Sequence, residues 1–412
     1  MHAFGIVFLA ALALATATRL WLAARHLAYV RAHRHRVPAE FADEIGLEAH
    51  QKAADYTRAK TRLALVEVAT EAVILLALTF GGVLEWLHGV SAAWLAEGLG
   101  RGLVLLALVG ALMMLLDLPF GLYRTFVIEQ RFGFNKMTPA MYFLDLAKTM
   151  LLALVFGLPL GAVVLWLMAT AGDYWWLYAW LTWVGFNVFT ITIYPTWIAP
   201  LFNKFSPMQD AELKERVERL LARCGFKVKG LMVMDGSRRS THGNAYFTGF
   251  GASKRIVFFD TLLARLNPGE VEAVLAHELG HFKLRHVVKR MAWIAAVSLG
   301  FLWLLGWLMQ QPWFFHALNV ESPSTAVALV LFAIVVPQFT FLLQPVGAMV
   351  SRRHEFEADE YAARHASARD LASALTKLYR ENASTLTPDP LHSAFYDSHP
   401  PAIVRIARLQ KA

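Results

Sequence analysis

Apolar runs about as long as a bilayer is thick recur along the chain and limit the folds that it can adopt. A helix needs about 20 apolar residues to cross the hydrocarbon core of a membrane. Seven runs approach that length, and they lie at residues 3–24, 63–84, 102–122, 145–169, 175–194, 291–309 and 325–346. Since 57% of the 412 residues are hydrophobic, more than in typical soluble domains, we predict a mainly α, polytopic membrane protein with seven transmembrane helices.

The distribution of Lys and Arg predicts the orientation of these helices. Basic residues are frequent in one set of polar segments and rare in the alternate set; the basic set is 25–62, 123–140, 201–288 and the tail after 351. Cytoplasmic loops are the basic ones. We therefore predict an outer N-terminus and a cytoplasmic C-terminus. The Arg residues follow the first run and do not precede it, which favours a retained helix over a cleaved signal.

The net charge of +8 is interpreted in the same way. It indicates membrane topology and not a nucleic-acid partner, because the basic residues collect in particular loops. The Ala-, Leu- and Arg-rich composition is typical of a bacterial protein, so we expect location in a bacterial inner membrane. The single cysteine, Cys224, excludes an intrachain disulfide. No feature of the sequence indicates an oligomeric state.

The most informative short motif is His277-Glu278-Leu279-Gly280-His281. Its helix has a start signal in Asn267, Pro268 and Glu270, since Asn caps, Pro suits the first position and Glu completes a capping box. We expect this helix to run on into the sixth span. His277 and His281 are four residues apart and share a face, while Glu278 is turned about 100° away. Two imidazoles with a neighbouring carboxylate are typical of a zinc site with a general base.

A third metal ligand is needed, and Glu355 can provide it. Glu355 and Asp359 are four residues apart on a helix that we expect to begin near Ser351, just beyond the seventh span. Glu355 would complete a His₂Glu set for one Zn²⁺ per chain. Asp359 would accept the free N–H of a liganding His. The alternative is an ordinary solvated charged face, to which we assign Glu357 and Glu360.

These features predict four regions. Residues 1–200 hold spans 1–5 with cytoplasmic loops, 201–290 form a cytoplasmic α+β segment that includes the HExxH helix, 291–350 hold spans 6 and 7, and 351–412 form a C-terminal helical segment that completes the zinc site. In the α+β segment we predict an amphipathic helix and three short strands; they lie at residues 211–224, 231–234, 245–249 and 255–260.

Carboxylates also fall inside the predicted spans, at Glu67, Glu71 and Asp117. A charge at membrane depth is costly, so such residues face a packed interior or water. Two interpretations are open: a local polar cluster that holds helices together, or a water-filled chamber inside the bundle.

With these motifs in place, the chain resembles the type I CAAX prenyl endoproteases, which are integral-membrane zinc metalloproteases. The resemblance covers essentially the whole chain and includes several separate motifs; they lie at residues 129–136, 200–205, 242–247, 255–261, 277–281, 352–359 and 398–401 with Arg405. It implies Zn²⁺ on His277, His281 and Glu355, with Glu278 as general base and acid. It also implies seven helices around an intramembrane chamber, with the site at the cytoplasmic end.

The resemblance assigns further roles. It implies that Asn244, with Ala245 and Tyr246, binds the substrate backbone, and an exposed strand edge at 245–249 can take up an extended peptide by strand addition. It implies that His399 and Arg405 steady the substrate or the oxyanion, and both are donors, as an oxyanion needs. Four other histidines are expected at the surface: His242, His286, His354 and His392.

The function predicted is zinc-assisted peptide hydrolysis in a membrane, with a prenylated C-terminal peptide as the substrate that the resemblance implies. The partners are then a peptide or protein substrate, with or without a lipid, and the bilayer. One alternative is a quality-control zinc protease of misfolded membrane proteins, although those chains are shorter and have fewer spans. A second is a channel or transporter in which the metal is structural.

Overall fold

Long helices form most of the fold, and the computed structural model describes residues 2–228, 230–248 and 255–411. The helices before the sheet are α1 (Ala3–His33), α2 (Leu47–Leu78), α3 (Val83–Trp94), α4 (Leu99–Tyr123), α5 (Pro139–Leu152), α6 (Leu158–Thr170), α7 (Trp175–Ile193) and α8 (Ala199–Phe202). Those within and after it are α9 (Ala211–Arg223), α10 (Asp260–Leu263), α11 (Pro268–Lys283), α12 (His286–Leu308), α13 (Pro312–His316), α14 (Thr325–Thr340), α15 (Gln344–His365), α16 (Ala368–Glu381), α17 (Pro390–Tyr396) and α18 (Ala402–Leu409). The strands are β1 (Phe205–Pro207), β2 (Gly230–Met234), β3 (Ala245–Thr248) and β4 (Arg255–Phe259).

In the described ranges, six helical segments are long and apolar enough to cross a membrane, or seven if the bent pair α2 and α3 counts as one span. In the six segments, between 6% and 44% of the most apolar window is buried within the protein. In the segments Pro139–Thr170 and Gly172–Phe202, only 6% of the most apolar window is buried within the protein. So much exposed apolar surface on regular helices is typical of lipid-facing spans. The prediction of a mainly α, polytopic membrane protein is confirmed.

The second predicted span, residues 63–84, is wrong as a single helix. α2 ends at Leu78, and α3 leaves it at an angle of 56°. Two glycines explain the break: the Gly81 N–H donates to the Leu76 carbonyl at 2.9 Å, and Gly82 has a φ of 72°. A left-handed residue of this kind ends a helix, and glycine adopts it without the steric cost of a Cβ.

The seventh predicted span, residues 325–346, is also divided. A 3₁₀ turn at Phe341–Leu343 separates α14 from α15. α15 then runs without interruption from Gln344 to His365, so the predicted helix start near Ser351 is wrong. One continuous helix therefore carries the chain from the apolar region to the acidic residues that the sequence singled out.

Two ion pairs join α1, α2 and α4. Glu71 of α2 accepts from Arg19 of α1 at 2.9 Å, and Glu67 pairs with Arg124. Arg124 opens a π turn that extends α4 to Glu129, so the start of the basic segment at 123–140 is helical. The carboxylates predicted inside the second span thus have cationic partners, as charges at membrane depth require. Glu71 nevertheless keeps 45% of its side-chain exposure.

A small mixed sheet follows the first five long helices. Its strand order is β1-β2-β4-β3, with β2 and β4 parallel and the two outer strands antiparallel to their neighbours. The three strands predicted are present, but β1 was not predicted, because three residues ending in Pro207 give no alternating pattern. The prediction extended β3 to Gly249, which lies outside the described residues.

One face of this sheet shares a hydrophobic core with α9, α11 and α16. Phe258 of β4, Val217 and Leu220 of α9 and Ala273 of α11 are fully buried there. Burying a side chain the size of Leu or Phe contributes about 1.5–3 kcal/mol, so this core fixes α11 on the sheet. The amphipathic helix predicted at 211–224 is confirmed as α9, with its apolar face in this core.

Candidate metal centre

The helix α11 begins where the sequence predicts. Asn267 Oδ1 accepts the Glu270 N–H at 2.9 Å, and the Asn267 N–H donates to Glu270 Oε2 at 2.8 Å, so the capping box is formed. Glu270 is 1% exposed and also accepts from Ser373 Oγ at 2.7 Å and Lys377 Nζ at 2.8 Å. The start of the HExxH helix is therefore tied to α16.

The end of α11 differs from the prediction. The helix does not continue into the sixth span: α11 ends at Lys283, and α12 starts at His286. Between them Arg285 has a φ of 57°, which is left-handed for a residue with a Cβ. This break turns the chain, so that residues just after the HExxH motif can face back toward it.

Gly280 brings α11 against α15. A Cβ at Gly280 would lie 3.0 Å from Ala358 Cα, 3.2 Å from the Ala358 carbonyl oxygen and 3.1 Å from Tyr361 Cβ. The two backbones therefore approach as closely as only glycine allows. Ala358 is fully buried in this crossing. The contact sets two helices that are about 80 residues apart in the sequence at the distance that their polar side chains need.

The crossing brings His277, His281 and Glu355 together. The two Nε2 atoms are 3.2 Å apart, and they lie 3.5 and 3.3 Å from the two Glu355 oxygens. An ion with tetrahedral bonds of about 2.0–2.1 Å spaces its ligands about 3.3–3.4 Å apart. Glu355 Oε2 is buried and hydrogen bonds to no described residue. The spacing, the carboxylate oxygen without a hydrogen bond and the donor set all fit a divalent metal ion.

Asp359 lies one turn beyond Glu355 and contacts the far side of His277. The distance from His277 Nδ1 to Asp359 Oδ1 is 2.9 Å, and both residues are buried. Burial disfavours the imidazolium, but the bonds to Asp359 and Glu355 outweigh it and raise the pKa of His277 to about 9. The carboxylates around this imidazole therefore favour a cation there, either a proton or a metal ion. An Nδ1–H that donates to Asp359 leaves Nε2 free to bind a metal.

Arg405 reaches the site from α18, but its guanidinium faces the two carboxylates. Nε and Nη2 donate to Asp359 at 2.8 and 2.6 Å, and Nη1 lies 3.4 Å from Glu355 Oε2. Arg405 is 5% exposed. Burial opposes its charge, but the Asp359 bonds outweigh this and raise its pKa above the ordinary value. Arg405 is thus a permanent cation that offsets the negative charges of Asp359 and of the candidate ligand Glu355.

Glu278 is half-buried next to His277. Burial in the protein raises the pKa of its carboxyl, although the neighbouring His277 and His281 partly oppose this. A carboxylate with a raised pKa is a stronger base than one in water.

His399 approaches the same centre from the chain between α17 and α18. Its Nε2 lies 3.4 Å from Glu355 Oε1, and the side chain remains 61% exposed. Arg352, three residues before Glu355, holds this segment: its Nη1 donates to the carbonyls of Ser393, Ala394 and Asp397 at 3.2, 3.3 and 2.9 Å. α15 therefore positions His399 as well as Glu355.

The predicted substrate-binding residues lie on the edge strand β3. Asn244 is exposed and precedes it, with Oδ1 accepting the Ala245 N–H at 2.8 Å. Ala245 is buried in the core against α11, and the Tyr246 ring packs on Phe259 with centroids 6.2 Å apart. Across the part of the chain that the structure describes, β3 pairs with β4 alone. Its outer edge and its contact with α11 match the geometry that strand addition requires.

The expectation that four histidines lie at the surface is wrong for His286. This residue is 4% exposed, and its Nδ1 lies 3.0 Å from His281 Nδ1. No pattern in the sequence could have found this contact, because residues five apart do not share a helical face. The other three are half-buried and each stacks on another ring: His242 on Phe134, His354 on His286 and His392 on His26.

A helical membrane protein in which an HExxH helix meets a downstream Glu belongs to the class of membrane-embedded metallopeptidases. Comparison with known proteins identifies the group within that class. Residues 26–204 match the family described as CAAX prenyl protease N-terminal, five membrane helices, and residues 207–412 match peptidase family M48. The chain therefore belongs to the CAAX prenyl proteases of peptidase family M48.

Individual relatives agree with this assignment. The chain is 37% identical to the CAAX prenyl protease 1 homolog of Arabidopsis thaliana, over 90% of this chain and 89% of that protein. It is 32% identical to CAAX prenyl protease 1 of Saccharomyces cerevisiae, over 92% and 90% of the two chains. The crystal structure of S. mikatae Ste24p superposes with a TM-score of 0.93 at 29% identity, and 99% of each chain is covered. The fold and the protease class are therefore shown for the whole chain.

Proposed function

We propose that this protein is a zinc endopeptidase whose substrates are peptides or proteins presented at the membrane, with prenylated C-terminal peptides as the preferred class. The observation that carries the proposal is the convergence of His277, His281 and Glu355 at separations of 3.2–3.5 Å. The CAAX prenyl protease names of the relatives support the substrate class. We propose one Zn²⁺ per chain, since two imidazoles and one carboxylate are a common catalytic zinc set.

When bound, zinc polarises the scissile carbonyl and lowers the pKa of a water molecule. The side chains carry out the proton transfer and the hydrogen-bond donation. Glu278, with its raised pKa, takes a proton from the attacking water and passes it to the leaving amine. His399, whose side chain is 61% exposed beside Glu355, donates an N–H to the oxygen that becomes negative as the carbonyl is attacked.

Arg405 is proposed as a positioning residue. Its two bonds to Asp359 and its 3.4 Å approach to Glu355 leave it directed at the ligands and away from the open side of the site. It fixes Asp359, which in turn fixes the tautomer of His277. Its charge also offsets the two carboxylates when no substrate is present.

The substrate is proposed to bind as an added strand on the outer edge of β3. The backbone of Ala245 lies in a non-hydrogen-bonded pair with Phe258 and points to the outer edge, so it would pair with an extended peptide. The backbone of Tyr246 pairs with Val257 of β4, so Tyr246 would border that peptide through its side chain. Asn244, exposed at the start of the strand, would hydrogen bond to the peptide backbone. Binding through the main chain accepts many side chains and leaves selectivity to other parts of the site.

For the membrane arrangement, we propose an outer N-terminus, a cytoplasmic active site and an intramembrane chamber lined in part by Glu67 and Glu71. The alternation of basic and non-basic loops supports the orientation. The half-exposed ion pairs that these residues make support a wet interior. The Ala-, Leu- and Arg-rich composition favours a bacterial inner membrane.

The test is cleavage of a farnesylated peptide, its unmodified counterpart and a misfolded membrane protein by the purified chain, with and without chelator. We expect selective cleavage near the C-terminus of the farnesylated peptide, lost with chelator and restored by zinc. The Glu278→Gln variant is expected to bind zinc normally and to lose cleavage. Glu212→Gln, on the exposed face of α9, is the matched control. Normal turnover by Glu278→Gln contradicts the mechanism, and broad cutting of the misfolded protein contradicts the substrate class.

A further inference from the structure

His286 and Glu357 form a chain of contacts behind the second histidine of the HExxH motif. His286 Nδ1 lies 3.0 Å from His281 Nδ1, and His286 Nε2 lies 3.0 Å from Glu357 Oε2. His286 is 4% exposed, whereas the Glu357 side chain is 32% exposed and so lies nearer the protein surface. The contacts run in one line from the carboxylate through two imidazoles toward Glu355.

Hydrogen-bond chemistry fixes where the protons lie along this line. An ionised carboxylate only accepts, so the nitrogen of His286 that faces Glu357 carries the proton. In a neutral imidazole the other nitrogen then accepts. His286 Nδ1 can therefore receive the Nδ1–H of His281, and the Nε2 lone pair of His281 is left facing His277 and Glu355.

From this geometry we infer that His286 and Glu357 are positioning residues that hold His281 in its metal-binding tautomer. The inference rests on the proposed zinc site. His277 is oriented directly by the carboxylate of Asp359 at 2.9 Å. His281 is oriented indirectly, because the neutral imidazole of His286 lies between it and the carboxylate of Glu357. Partners behind liganding histidines orient the ring and increase its basicity.

We call His286 and Glu357 the relay, and the surrounding residues hold it in place. Arg353 Nε donates to the other Glu357 oxygen at 3.0 Å, and the His354 ring stacks on His286 with centroids 4.1 Å apart. The left-handed Arg285 places His286 at the first position of α12, where its ring can turn back to α11. An uninterrupted helix would have pointed residue 286 away from His281.

The same cluster is not arranged as a second metal site. Ligand atoms of His286, His354 and Glu357 all lie within 4.8 Å of one another. However, the two imidazole planes are stacked with only 10° between them. A metal ion lies in the plane of each imidazole that binds it, and stacked parallel planes share no such point. His286 Nε2 is also already occupied by Glu357.

Zinc affinity, measured by competition with chelators of known strength, tests the inference. His286→Phe keeps an aromatic ring and removes both polar contacts, so we expect zinc binding about 10–100-fold weaker. His286→Asn keeps an acceptor for the His281 N–H, so it should recover most of that loss. Glu357→Gln, nearer the protein surface, should weaken binding about 10-fold. Glu360→Gln, exposed on the same helix, is the matched control.

The parental chain is measured first, because failure of zinc binding there refutes the proposed function and not the relay alone. If the parental chain binds zinc and His286→Phe and Glu357→Gln bind it equally well, the relay is refuted. Equal losses in His286→Phe and His286→Asn, accompanied by lower thermal stability, would show a role in packing only and would also refute it. Two zinc ions per chain, one of them lost in His354→Phe, would overturn it in favour of a second site.

Discussion

Gly280→Ala tests whether the crossing of α11 and α15 sets the metal geometry. The added Cβ would lie 3.0 Å from Ala358 Cα, whereas ordinary contact begins at 3.4 Å, so the overlap is 0.4 Å. The atoms contacted are two backbone atoms of Ala358 and Tyr361 Cβ, none of which can move by a change of rotamer. The helices themselves must therefore separate by a few tenths of an ångström.

Two opposing effects determine the magnitude for stability. Alanine is favoured over glycine in a helix by about 1 kcal/mol. Overpacking a tight contact costs about 1–3 kcal/mol. We therefore expect a net destabilisation of about 0–2 kcal/mol, which leaves the protein folded.

The effect on the site should be larger than the effect on stability. His277 and His281 lie on one helix and Glu355 on the other, so separation of the helices acts directly on the distances between ligands. Metal sites tolerate errors of about 0.2 Å in ligand distance, and displacements approaching 1 Å cost about 100-fold in rate. We expect zinc binding and kcat/KM each to fall about 10–100-fold.

Zinc affinity by chelator competition and peptide cleavage at saturating zinc are the assays for this variant. Gly300→Ala is the matched control, because Gly300 lies inside α12 with nothing within 4 Å of the added Cβ. It should leave both quantities unchanged. If Gly280→Ala retains parental zinc affinity and kcat/KM, the close approach of the helices does not set the ligand geometry and the reasoning is refuted.

Three further predictions concern the residues around the ligands. Asp359→Asn removes the charge that orients His277, so zinc affinity should fall about 10–100-fold in chelator competition. Arg352→Gln releases the segment that carries His399, so kcat/KM should fall about 10–100-fold with zinc affinity unchanged. Glu270→Gln removes the charge that Lys377 contacts at 2.8 Å, so thermal unfolding should show a loss of about 2 kcal/mol at neutral pH.

The Glu270 loss should depend on pH. Burial raises the pKa of this carboxyl, but bonds from Lys377, Ser373 and the Asn267 amide outweigh it and lower the pKa below its ordinary 4.5. A folded-state pKa below the unfolded value contributes stability above about pH 4.5 and loses it as the pH falls through the folded value. The difference between parent and Glu270→Gln should therefore shrink on acidification. A difference that is constant with pH would contradict the assignment.

Controls for the other two variants come from exposed positions on α15. Glu360→Gln matches Asp359→Asn, and Arg364→Gln matches Arg352→Gln, because Glu360 and Arg364 pair with each other at the surface. Unchanged zinc affinity in Asp359→Asn, or loss of zinc in Arg352→Gln, would contradict the division of roles.

Local signals in the sequence predicted much of the fold correctly. Each apolar run is largely helical, although the runs at 63–84 and 325–346 are broken, and the Asn267 start signal gave the start of α11. Both signals depend on residues within a few turns of each other. The helix breaks at Gly82 and Arg285 were missed. A left-handed residue inside an otherwise helical pattern leaves the periodicity on both sides intact, so the pattern does not reveal it.

The sequence by itself determined the candidate metal chemistry, since HExxH fixes two imidazoles and one carboxylate on one helix. Only the tertiary structure decided how Glu355 meets them, through the contact of Gly280 with Ala358. It also decided that Arg405 faces Asp359 and that His286 faces His281. Periodicity tells which face of a helix is buried, but the partner of that face is set by packing between residues far apart in the chain.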